Sequence, residues 1–300
     1  QYAFSFTTTN PSTGQNAATV TIAASGTAVF PASRGAMTTD TRDRYGVTDG
    51  GKPIKVIVPS FSVKAIGQST PLAGATVTIS VTLTANVDFP TGSTVTIAGL
   101  TGTQTADSGS LAVNTSGLMG TSGNWTQSPG TLVLTAADGG TCAQGAACTV
   151  TFDLQHAAAE YTPPTVRISA AVNNGTTALG SIAQADMVAP NAPLLGVVNG
   201  TNPLLVVLPE FDVRKIGQSN PLAGGSNTIT VTIRSNVNLA QATHGSVVTI
   251  SGLTNAANED TSLALTSVEN SGASLFSDGS TPEKGALSSG ILTLTVHTAQ

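Results

Sequence analysis

Two cysteines are the residues of this 300-residue chain whose type and spacing point most directly to covalent chemistry. Cys142 and Cys148 enclose Ala-Gln-Gly-Ala-Ala, a run of small residues joining two alternating segments, so a bridge would close a short ring across a hairpin. That spacing predicts a disulfide and an oxidising compartment, with two free thiols as the alternative. Zinc is a poor fit, because it needs four ligands and neither a His nor a third Cys lies nearby. The other reactive types are scattered. His156, His244 and His297 show no His-x-x-x-His or His-Glu-x-x-His spacing, and no Gly-x-Ser-x-Gly elbow surrounds a serine. Asp40, Asp43 and Asp49 could offer oxygen ligands to calcium, but EF-hand spacing is absent and Arg42 and Arg44 balance the charge. The corresponding stretch 190–199 keeps no carboxylate. A solvated loop is the expectation there. The chain therefore reads as non-enzymatic, with no catalytic residue, cofactor site or metal site expected.

Other candidates concern surfaces and modification. Four Asn-x-Ser/Thr sequons, at Asn114, Asn124, Asn174 and Asn199, fall at expected turns or loops and are candidate N-glycosylation sites. Ser and Thr make up roughly a quarter of the chain, so about this many sequons arise by chance. Exposed Thr rows and the segment Thr162-Pro163-Pro164-Thr165 suit O-glycans, and equally the wet face of strands. Trp125 is the single Trp in a chain with 4% aromatic residues, a thin basis for a carbohydrate platform. The Thr76-x-Thr78 row suits an ice-binding surface less well than an ordinary outer strand. Lys64 aligns with Arg214, so a repeated Lys isopeptide bond is not expected.

These residues need a scaffold, and composition restricts it. Charged residues are 9% of the chain and the net charge is −5, with no basic cluster to neutralise phosphates or an anionic lipid surface. Nucleic-acid binding and membrane insertion are therefore not expected. The longest apolar run, Leu204 to Leu208, lies between Pro203 and Pro209, far short of the ~20 residues that span a bilayer. Low net charge with 40% hydrophobic residues is the reverse of a disordered chain.

Internal repetition sets the organisation. Residues 59–74, Pro-Ser-Phe-Ser-Val-Lys-Ala-Ile-Gly-Gln-Ser-Thr-Pro-Leu-Ala-Gly, return 150 positions later at 209–224 as Pro-Glu-Phe-Asp-Val-Arg-Lys-Ile-Gly-Gln-Ser-Asn-Pro-Leu-Ala-Gly. Residues 92–101 return at 245–254, and Tyr45-Gly-Val-Thr-Asp-Gly50 resembles Leu195-Gly-Val-Val-Asn-Gly200. Tyr2-Ala-Phe-Ser-Phe6 resembles Cys148-Thr-Val-Thr-Phe152. The expected domains are the C-terminal part of a repeat (1–53), a complete repeat (54–203) and the N-terminal part of the next (204–300). The expectation is that a neighbouring copy or continuing chain completes the partial repeats. Leu292, Leu294 and Val296 with Tyr2, Phe4 and Phe6 are the expected assembly interface, because strands with unpaired edges are templates for pairing.

Within a repeat the pattern has period 2. Val77, Ile79, Val81 and Leu83 alternate with Thr and Ser, which makes a strand with one buried face. Similar alternation at 93–97, 131–135, 149–154 and 165–170 gives eight or nine strands per unit and no helix. The expected fold class is all-β, with tandem Ig-like antiparallel β-sandwiches of about 150 residues per unit. Ile-Gly-Gln-Ser-Thr-Pro-Leu-Ala-Gly (66–74), Gly-Ser-Thr-Val-Thr-Ile-Ala-Gly-Leu-Thr (92–101) and Trp125-Thr-Gln-Ser-Pro-Gly-Thr-Leu-Val-Leu-Thr135 resemble the long tandem-repeat proteins of algae and other protists. That resemblance implies an extracellular or cell-surface location and a repetitive architecture, and supplies no catalytic residue. The expected function is a structural subunit of an extracellular filament or surface fibre, glycosylated, whose partner is itself and whose other partners are glycans. The alternatives are the stalk of a surface adhesin and a carbohydrate-binding module.

Overall fold

A computed structural model of the chain describes residues 1–27, 29, 35–116, 120–137, 142–239, 246–256, 259–268 and 272–297. The described residues are all-β, with one short 3-10 turn at Ala273–Leu275. Contacts divide the chain into two compact units. Unit 1 comprises Gln1–Asn191 with Thr201–Val206, and unit 2 comprises Ala192–Gly200 with Val207–Gln300.

Unit 1 holds nine strands: β1 (Phe61–Gln68), β2 (Thr76–Ala85), β3 (Thr94–Ala98), β4 (Ser108–Thr115), β5 (Ser122–Thr126), β6 (Thr131–Thr135), β7 (Cys148–Gln155), β8 (Arg167–Asn174) and β9 (Thr177–Asp186). They form one antiparallel sheet in the order β1-β2-β7-β4-β5-β6-β3-β8-β9. The sheet nearly closes on itself. Val188, just past β9, donates its N–H to Lys64 O at 2.8 Å and accepts from Ile66 N at 3.0 Å, a parallel bridge onto β1. Closure removes the unpaired edges that invite association.

The alternation in β2 shows why this sequence makes strands. Val77, Ile79, Val81 and Leu83 are fully buried, while the Thr and Ser between them face outward. β-branched residues fit the pleated surface, and each buried aliphatic side chain contributes about 1.5–3 kcal/mol. The outward Thr residues are engaged across strands: Thr78 Oγ1 donates to Asp153 Oδ1 at 2.7 Å and Thr76 Oγ1 to Gln155 Oε1 at 3.2 Å. Leu132 and Leu134 of β6, Val150, Phe152 and Leu154 of β7 and Ile168 of β8 complete the core.

Unit 2 is built from β10 (Phe211–Gln218), β11 (Ile229–Ser235), β12 (Val247–Ser251), β13 (Asp260–Ala264), β14 (Phe276–Ser277), β15 (Lys284–Ser288) and β16 (Ile291–Val296). β10 and β11 form a separate pair, and the rest run β12-β16-β15-β13, with β14 also on β16. The duplication is visible in the register. Phe61 pairs with Ala85 and Val63 with Thr84 around a bulge, and Phe211 pairs with Ser235 and Val213 with Arg234 around the same bulge. By sequence position β10, β11, β12, β13, β15 and β16 match β1, β2, β3, β4, β5 and β6. Among the described residues of unit 2, nothing occupies the places of β7, β8 and β9.

Candidate assembly site

The segment that leads into each unit is held by the same contacts. Asp88 N donates to Tyr45 O at 2.9 Å in unit 1, and Asn238 N donates to Leu195 O at 2.8 Å in unit 2. Gly46 and Gly196, with φ of 78° and 77°, lie where an added Cβ would collide with Asp88 and Asn238 respectively, so both positions require glycine. Just before β1, Asn86 Oδ1 accepts from Ser60 N at 2.8 Å and Asn86 Nδ2 donates to Val58 O at 3.0 Å. Asn236 does the same with Glu210 N at 2.9 Å and Leu208 O at 2.9 Å.

The segment leading out of unit 1 is clamped by the repeated Ile-Gly-Gln-Ser word. Gln68, which is buried, accepts from Leu204 N at 2.7 Å through Oε1 and donates to Leu205 O at 2.9 Å through Nε2. Leu204 is enclosed in the core, and Val206 is bridged to Tyr161 by two backbone bonds of 3.0 Å. The same bridge links Gln15 to Val56 at 2.8 and 3.0 Å. Met37 N donates to Val20 O at 2.9 Å, as Met187 N does to Val166 O. The described residues at Gln15, Val20, Met37 and Val56 therefore keep pairings of the segment they match. Sequence reasoning missed Gln68, Leu204 and Val206; the invariant Gln in both copies of the word was the available signal.

The residues expected to form an interface separate into two groups. Leu292, Leu294 and Val296 of β16 are buried in the core of unit 2, and β16 is paired on both edges, by β12 and by β14 and β15. Their side chains offer no free surface. Tyr2, Phe4 and Phe6 are 100%, 86% and 83% exposed. Cys148, Val150 and Phe152, which they match, are 3%, 2% and 3% exposed in β7. β11 pairs with β10 alone among the described residues, and Ile229 is 44% exposed where its counterpart Ile79 is fully buried.

The remaining candidates fall as follows. Cys142 and Cys148 form a disulfide with Cα atoms 6.2 Å apart, and both are buried. Asn174 ends β8 at a turn and Asn199 sits in a turn with φ of 56°. Asn114 and Asn124, expected in loops, are instead on β4 and β5, with exposed side chains on the outward alternation of those strands. Asp40 receives Arg42 Nε at 2.9 Å and Arg44 Nη2 at 3.1 Å, and the Arg42 guanidinium holds its carboxyl well below the usual carboxylate range. Asp43 accepts from Asp49 N at 2.8 Å, and Asp49 pairs with Lys52 at 2.7 Å. No group of three His, Cys, Asp or Glu that could hold a metal occurs among the described residues.

Trp125 is 1% exposed, with Nε1 donating to Thr105 O at 3.0 Å, so it is a core residue and cannot stack on a sugar. His156 is fully buried; its Nε2 lies 2.8 Å from Thr70 O, and burial pushes its pKa down. His297 donates its backbone N–H to Leu275 O, and His244 lies outside the described residues. Among the described residues, no helix is long and apolar enough to cross a membrane. The chain matches no family model and no curated protein.

Proposed function

We propose that this protein is a structural subunit of an extracellular filament or surface fibre, built from tandem Ig-like β-sandwich repeats of about 150 residues, as the spacing of the repeated words implies. The observation that carries this reading is the recurrence of one junction. The Tyr45–Asp88 and Leu195–Asn238 bonds, and the Asn86 and Asn236 clamps, recur at matched positions. Entry segments held by the same bonds are what equivalent tandem repeats require, and tandem repeats of one kind build extended arrays. The buried disulfide fits an oxidising, extracellular setting. Exposed Asn114, Asn124, Asn174 and Asn199 are the positions available to N-glycans.

Electron microscopy of the native material tests this reading. Uniform filaments with a regular axial repeat are expected. Isolated particles, or short rods ending in a distinct head, would refute the fibre and favour an adhesin stalk.

A further inference from the structure

Closure of the loop between β1 and β2 depends on one ring. His156, directly after β7, is fully buried. Its backbone N–H donates to Ala75 O at 2.9 Å, its ring Nε2 lies 2.8 Å from Thr70 O, and Gly74 N donates to Ala157 O at 2.7 Å. A carbonyl only accepts, so Nε2 carries the proton and the neutral ring is the form that fits. Nδ1 is buried without a hydrogen-bond partner. A second proton would place there a charge and a donor that nothing receives. Among the described residues, the surrounding elements supply no counter-charge. Residues 69–75 carry no titratable side chain, and neither does 103–105, which flanks β7 through Gln104 N to Gln155 O at 2.8 Å. Asp153 turns outward to Thr78 Oγ1, Asp107 accepts from Gln127 N, and Glu160 is exposed.

Gln68, the last residue of β1, stands directly before that loop. It holds the strap Thr201–Val206 three ways, through its own N–H to Thr201 O at 3.1 Å and through its side chain to Leu204 N and Leu205 O. The other ties of the strap lie at its ends. Val206 is bridged to Tyr161, and Asn202 exchanges exposed hydrogen bonds of 3.0 and 2.8 Å with Asn191. Between them a cleft of about 310 Å³ separates Asn202 and Pro203 from Ile66, Val166 and Met187, so this side of the strap is not packed on the sheet.

We propose that His156 is a proton-operated lock on this strap: protonation of its ring releases the loop 69–75, and with it Gln68, and so frees Thr201–Val206 from the core of unit 1. The lock lies wholly within unit 1 and goes beyond the fibre reading, since it would operate equally in a stalk. Its direction follows from the two states. With the loop shut, burial holds the ring below its ordinary pKa of 6.5, and with the loop open the ring takes up a proton at that value. Acid therefore favours the open form, by up to about thirtyfold at pH 5.0.

Hydrogen exchange of the full chain tests the lock, read by mass spectrometry of short peptides at pH 7.5 and pH 5.0 and corrected for the intrinsic rate at each pH. Protection of Gly74, Leu204 and Val206, whose N–H groups donate to Ala157, Gln68 and Tyr161, should fall together by about five- to thirtyfold. It should stay below that of Leu132 and Phe152, so that the strap opens while the sheet stands. In His156→Gln, which keeps a neutral donor for Thr70 O, the fall should vanish while Trp125 emission from the core of unit 1 is unchanged. Gln68→Ala should strip protection from Leu204 at both pH values and leave the pH response of Gly74 in place.

Protection that is the same at the two pH values, or that falls equally in His156→Gln, would overturn the proposal. So would equal protection of strap and core, because the ring would then be freed only by unfolding of the whole unit. A response at Gly74 with none at Leu204 would also overturn it, because Gln68 would not carry the strap.

Discussion

Replacing Cys142 and Cys148 by alanine opens a ring with a sequence separation of 6. The loop-closure entropy that the bridge removes from the unfolded chain corresponds to about 2.3 kcal/mol for a ring of this size. Both half-cystines are buried, at 0% and 3% exposure, so loss of the sulfur packing adds to that figure. Unit 1 should lose about 2–3 kcal/mol. With a urea slope of about 2 kcal/mol per molar, the midpoint falls by roughly 1 M. The assay is built into the chain, because its single Trp, Trp125, sits in the core of unit 1 and reports that unit alone. A midpoint shifted by less than about 0.3 M would refute the reasoning, since the ring would then constrain nothing that unfolding releases. Burial also predicts that dithiothreitol leaves the native bridge intact and reduces it only in urea that unfolds unit 1.

His156 should give unit 1 a pH dependence. Burial lowers its folded pKa below 6.5, so its contribution is complete above that pH and declines as the unfolded chain takes up the proton first, by up to about 1.4 kcal/mol per pH unit. Urea midpoints that stay flat from pH 7 to pH 5, or that fall equally in His156→Gln, would contradict this. Asn86→Ala removes two side-chain hydrogen bonds and should cost unit 1 about 2 kcal/mol, read by Trp125 emission; a cost under about 0.5 kcal/mol would show that the clamp is idle. Gly99→Ala combines a φ of 88° with a clash against Thr165 O and should cost about 3 kcal/mol. Gly252→Ala, with a φ of 92° and open space, should cost unit 2 only about 1 kcal/mol in thermal melts followed by circular dichroism, and equal costs would refute the difference in surroundings.

The alternation of Val77, Ile79, Val81 and Leu83 made the strands legible, because a period of 2 leaves no helical face to bury. The bridge between Cys142 and Cys148 was legible from spacing alone. Strand order was not. β7 reaches its place between β2 and β4 through contacts across scores of residues, which no local pattern encodes. Asn114 and Asn124 were expected in loops because polar residues surround them, yet the wet face of a strand is equally polar, and Leu111, Val113 and Trp125 supply the inward side of β4 and β5. Leu292, Leu294 and Val296 were placed at an interface by their position in the repeat. Their own alternation, which buries them in unit 2, carried the better information. The contact boundary at Asn191, with Thr201–Val206 returning to unit 1, was hidden because the linker has no distinctive composition.

Thr201–Val206 belongs to unit 1 although it follows nine residues assigned to unit 2. Leu204 is 1% and Val206 2% exposed, so the core of unit 1 stays open until these residues have left the ribosome. At a synthesis rate of about 5–20 residues per second, the stretch from Asn191 to Val206 is made in roughly one to three seconds. Unit 1 is thus sealed only after the first nine residues of unit 2 have been made. Arrest of synthesis before Thr201 would leave unit 1 without this latch and its core accessible to proteases.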